Sequence, residues 1–130
     1  MKRDMDLIRD ILLRLEKMHL EAGAVYLIDW SDPIFQFEGQ TMDEVVYNLD
    51  LIVQSGFVNA PPKMQGGAAL GYAGLTPRGH EFLDDVRDPK VWRMTKDGVQ
   101  KVGGAGLDIL VGIAKHYAKD MVSKTLGFQV

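Results

Sequence analysis

Cysteine is absent from the 130 residues. That excludes disulfides, thiolate nucleophiles, cysteine-ligated zinc and iron–sulfur clusters in one step. It also suits a reducing interior, so the expected address is the cytoplasm. Serine occurs only at Ser31, Ser55 and Ser123, none of them in the strand–turn–helix setting of a nucleophile elbow. No apolar run approaches the ~18 residues of a membrane-spanning helix. The opening Met1-Lys2-Arg3-Asp4 leads into a charged amphipathic segment, unlike a signal peptide. Basic side chains are missing from the whole stretch between Met18 and Pro62, which carries Glu21, Asp29, Asp32, Glu38, Asp43, Glu44 and Asp50.

What is present describes a globular domain. Hydrophobic residues make up 46% and charged residues 25%, which is ordinary for a folded protein. A chain of this length can bury roughly two-thirds of its unfolded surface, so it needs no staples. The net charge of −3 argues against a main task of neutralising phosphates. Outside the base-free stretch the balance is positive, and Arg87, Lys90, Arg93, Lys96 and Lys101 outnumber Asp88 and Asp97.

Periodicity and capping signals give an α+β chain. Asp4 is an N-cap, and Met5, Ile8, Ile11, Leu12, Leu15 and Met18 follow at helical spacing. Gly23 to Gly39 reads as extended around Val25–Ile28 and Ile34–Phe37, either a hairpin or a loop and one strand. Thr41 and Glu44 form a capping box for a second helix, with Met42, Val45, Val46, Leu49, Ile52 and Val53 as its buried stripe and Gly56 as its end. Phe57-Val58 starts a strand, the glycine-rich 61–74 stretch gives a tip and a returning strand, and Thr76-Pro77 starts a third helix. Asp88-Pro89 repeats that start signal for a short helix carrying Val91 and Trp92. Leu107, Leu110, Ile113, Ala114, Tyr117 and Met121 share one face of a last helix. The expected division is a domain over 1–97, a glycine-rich hinge over 98–106 and a C-terminal helix over 107–130. That helix either docks on the domain or pairs with a second copy in a homodimer.

The order helix, short strand, helix, β-hairpin, helix resembles a winged-helix domain. Leu49-Asp50-Leu51-Ile52-Val53-Gln54-Ser55-Gly56-Phe57-Val58 looks like the end of a recognition helix turning into the wing. Leu75-Thr76-Pro77-Arg78-Gly79-His80-Glu81-Phe82-Leu83 looks like the end of the wing entering the next helix. Over nearly the whole chain, the Met1–Arg9 start, Leu75-Thr76 through Asp88 with Trp92 beyond, and the closing glycine-rich loop and helix are similar to an uncharacterised family of small bacterial and prophage proteins, a domain of unknown function. The resemblance implies a winged-helix-like fold and a phage-associated setting. It carries over no catalytic or ligand residues.

Tests for chemistry find little. His80-Glu81-Phe82-Leu83-Asp84 has Asp84 where the zinc-protease helix needs its second histidine, and His19 and His116 lie on other elements. Gly66-Gly67-Ala68-Ala69-Leu70-Gly71 has phosphate-loop glycines, but Tyr72-Ala73 replaces the required Lys and Ser/Thr. Gly103-Gly104-Ala105-Gly106 precedes a helix without the strand a dinucleotide fingerprint requires. Adjacent carboxylates on a helix, such as Asp84 and Asp85, point apart. No enzyme, cofactor or metal is expected.

Two readings of function remain. In the first, the second helix is an acidic contact surface for an unidentified protein with a basic face, through Asp43, Glu44, Tyr47, Asn48, Asp50 and Gln54, with Trp30, Phe35 and Phe37 as further anchors where exposed. In the second, the protein is a DNA-binding transcription regulator whose cations, Lys63, Arg78, Arg87, Lys90, Arg93, Lys96 and Lys101, converge elsewhere. Three carboxylates on the candidate recognition helix favour the first, since like charges at 4 Å cost ~1 kcal/mol even in water.

Overall fold

The computed structural model describes residues 1–60, 69–104 and 106–127. Its class is α+β, and the described residues form five helices and one small antiparallel sheet. Residue contacts divide the chain into two units, Met1–His80 and Glu81–Val130.

In the first unit, α1 runs over Met5–Glu16. The Asp4 side chain caps it by accepting from the Leu7 N–H at 3.0 Å. Leu7, Ile8, Ile11, Leu12 and Leu15 are buried; Leu7 joins the stripe that periodicity gave, while Met5 and Met18 are only half-buried. Strand β1 covers Tyr26–Asp29. The second extended segment of the sequence reading is instead a single 3-10 turn at Pro33–Phe35, because Asp32 captures the Ile34 N–H at 2.9 Å and Pro33 follows at the first position. With no hairpin partner there, β1 pairs with β2, Ala69–Tyr72, in the register Tyr26 to Tyr72 and Ile28 to Leu70. Val58 bridges Leu75, so the segment after α2 lies against the segment after β2. The expected wing tip at 61–68 lies outside the described residues.

Helix α2 spans Met42–Gln54, and both halves of its capping box are formed. Gly56 ends it with φ +77°, a conformation that costs glycine little and a side chain much. Helix α3, Pro77–Val86, starts against the backbone of Phe57. A Cβ at Gly79 would stand 2.1 Å from the Phe57 carbonyl oxygen, so only glycine allows that approach. The Thr76 hydroxyl donates to the Gly56 carbonyl and accepts from the Gly79 N–H, tying the end of α2 to the start of α3.

The second unit holds the end of α3 with α4, Pro89–Lys101, and α5, Leu107–Leu126. Asp88 caps α4 by accepting from the Lys90 and Val91 N–H groups. Helix α4 is longer than its start signal announced. It runs through Gly98, so the expected boundary at 97 and the first part of the expected hinge fall inside a helix. The reason is close packing: a Cβ at Gly98 would lie 3.1 Å from Ile113 and 3.3 Å from Tyr117 of α5. Leu110 and Ala114 of α5 are buried, and the face holding Ile113 and Tyr117, read from sequence as a docking or dimer stripe, meets α4 of the same chain. Among the described residues no helix is long and apolar enough to cross a membrane.

Candidate functional site

The exposed side of α2 is where composition and geometry meet. Its inner face buries Val45, Leu49 and Ile52. Its outer face carries Asp43, Tyr47, Asp50 and Gln54, all exposed, with Tyr47 at 38%. Beside that face runs a groove of about 380 Å³ lined by Met1, Trp30, Asp43, Val46, Tyr47, Leu49, Asp50, Val53 and Leu70. Among the described residues no lysine or arginine lines it. The α2 contributors fall at spacings of three and four residues, so they form a single strip along about 15 Å of helix at 1.5 Å per residue.

The opposite wall is built by the loop after β1. Asp29 accepts from the Ser31 N–H at 2.8 Å and from the Ser31 hydroxyl at 2.6 Å, and these bonds hold its carboxyl below the usual range. This local turn carries Trp30, whose ring sits 5.0 Å from that of buried Phe35. The loop is then pinned from α1. Arg14 donates to the carbonyls of Pro33, Ile34 and Gln36, and its guanidinium lies 3.7 Å over the Phe37 ring. Helical periodicity alone assigns Arg14 to a solvated face; the loop carbonyls it gathers are distant in sequence.

The sequence-derived contact residues do not all share the surface. Asn48 is buried, at 1% exposure, which removes it from the exposed set. It accepts from the Asp4 N–H at 2.8 Å and donates to the Glu44 carbonyl at 2.9 Å, joining the start of α1 to α2. Glu44 is held in the capping box by the Thr41 N–H and hydroxyl. The Gln54 amide donates to Asp50 at 2.6 Å. Of the aromatics, Phe35 is core, Phe37 is half-buried under Arg14, and Trp30 and Tyr47 reach the groove.

Arg78 lies 5.3 Å over the Phe57 ring and donates to the Ser55 carbonyl. Arg87 pairs with Asp84 at 3.2 Å. Lys90, Arg93 and Lys101 are exposed on α4, where Asp97 shares their face, and Lys96 is half-buried with its ammonium 5.8 Å over the Trp92 ring. Lys63 lies outside the described residues. The first unit carries eleven acidic and seven basic residues over positions 1–80. Among the described residues no three His, Cys, Asp or Glu side chains converge as metal ligands. Of the phosphate-loop glycines, Gly71 lies in β2, and Gly66 and Gly67 lie outside the described residues.

The family described as Hypothetical protein (DUF2513) matches residues 2–106. A Haemophilus influenzae protein named only as an uncharacterized protein is 31% identical over 127 residues, which is 97% of this chain and 99% of that one. No solved structure matches. The chain belongs to the DUF2513 family.

Proposed function

We propose that this DUF2513 member is a protein-interaction module on a winged-helix-like first unit, phage-associated in setting, and that α2 with its groove is the contact surface. The observation that carries this is the groove itself: an apolar strip of Val46, Tyr47, Val53 and Trp30 edged by Asp43 and Asp50, with no lysine or arginine among its described lining residues. In a winged helix that reads DNA, the helix in this position enters the major groove. Here that helix presents carboxylates, which repel phosphate. Exposed aromatics over an apolar strip are the usual anchors of protein contacts.

The test uses the full chain with Asp43→Lys plus Asp50→Lys. Glu44 is left alone because its side chain caps α2. The wild-type protein is expected to retain a discrete protein from a host lysate that the double variant, equally folded by circular dichroism, loses. Retention unchanged by the substitutions removes α2 as the contact. A duplex-DNA mobility shift at low salt that fades steeply as salt rises, unaffected by the two substitutions, replaces this reading with DNA binding.

A further inference from the structure

The groove's chemistry narrows the kind of polypeptide it suits. Asp43 and Asp50 stand seven residues apart on α2, so their side chains leave the helix about 10.5 Å apart along its axis, at 1.5 Å per residue. Between them lie Val46 and Tyr47, with buried Leu49 as floor and Trp30 and Leu70 opposite. The space of about 380 Å³ is large enough for bulky side chains. We infer that this site takes a large apolar or aromatic side chain bracketed by lysine or arginine, displayed by a protein partner. The inference rests on α2 being a protein-docking face.

Three physical points favour that occupant. An apolar side chain in the groove removes Val46, Val53 and Trp30 from water. Covering that strip also desolvates Asp43 and Asp50, and a carboxylate that loses water without gaining a partner is costly. Cations on both sides of the anchor supply those partners. Asp50 already accepts one hydrogen bond through a single oxygen, from Gln54, and its second oxygen can take a bond from the incoming cation. An acidic occupant meets repulsion at both ends.

The experiment is selection of random twelve-residue peptides displayed on phage against the immobilised full chain. Selected sequences are then synthesised and titrated against the wild-type protein, against Asp43→Lys plus Asp50→Lys, and against Val46→Ser plus Tyr47→Ser. The selected sequences are expected to carry Trp, Phe, Leu or Met between Lys or Arg. Their Kd is expected to rise at least tenfold in either double variant and to rise with salt in the wild type. Folding of both variants is checked by circular dichroism. Neutral or acidic sequences that depend on Val46 and Tyr47 overturn the cation requirement and leave α2 as a docking face. Sequences indifferent to both variants overturn this inference and the docking reading together.

Discussion

Asn48→Ala isolates the joint that holds α2 against α1. In the wild type, Asn48 takes the Asp4 N–H and gives a hydrogen bond to the Glu44 carbonyl, at 1% exposure. Alanine removes both bonds. The Glu44 carbonyl keeps its place in the helix ladder, but the Asp4 N–H is left without its side-chain acceptor. A donor orphaned this way costs about 1–3 kcal/mol, and the lost amide leaves a small void besides. The expected loss is about 2 kcal/mol, which at 1.4 kcal/mol per tenfold is about a thirty-fold rise in exchange of the amides it protects. Urea unfolding gives the global loss, and hydrogen exchange over residues 1–16 locates it. Asn48→Asp sharpens the test. Its ionised carboxylate still accepts from Asp4 but sets an acceptor against the Glu44 carbonyl, so it is expected to be worse than alanine at neutral pH. Protonation restores a donor, so its stability is expected to rise as pH falls through the aspartate's raised pKa. A loss under about 0.5 kcal/mol for Asn48→Ala, with unchanged exchange at Asp4, refutes the buried joint and returns Asn48 to the surface.

Gly79→Ala is expected to cost at least about 2 kcal/mol, because its Cβ would collide with the Phe57 backbone and not with a movable side chain; urea midpoints check this, and a neutral result contradicts the close approach of α3. Burial raises the Asp85 carboxyl above its usual range, with Lys115 at 3.9 Å opposing the shift. A raised folded pKa means stability is greatest below the unfolded value and declines as pH rises through the folded one. Asp85→Asn is therefore expected to stabilise the protein slightly at pH 7, by less than about 1 kcal/mol, and to bring no gain at pH 3; thermal melts at both values decide. Tyr72, whose hydroxyl donates to the Leu15 carbonyl in the core, is pushed up to about 12 by burial. The stability it contributes is complete below the ordinary tyrosine value near 10 and declines as pH climbs toward 12, so Tyr72→Phe is expected to flatten the alkaline loss seen in melts between pH 9 and 11.

Helix starts were legible because their signals are local. Asp4, Thr41 with Glu44, Thr76-Pro77 and Asp88-Pro89 each satisfy N–H groups within four residues, and each begins a helix as read. Strand pairing was not legible, since β1 finds its partner forty or more residues on and nothing near Ile34 forbids a hairpin except the Asp32-Pro33 turn. Asn48 shows where residue type misleads. Its spacing, three after Val45 and four before Ile52, places it on the buried stripe, and only its polarity suggested the surface. The acidic edge of the site was readable from the base-free stretch alone. The groove was not, because Trp30 is brought to it by Arg14 gathering carbonyls from a loop some twenty residues away.

A photo-crosslinking side chain in place of Tyr47, with the same group at Thr125 on α5 as control, reports directly on what touches α2 in the cell. Irradiation is expected to yield a discrete protein adduct from position 47 alone. An adduct to nucleic acid at position 47, or identical products from both positions, contradicts the account.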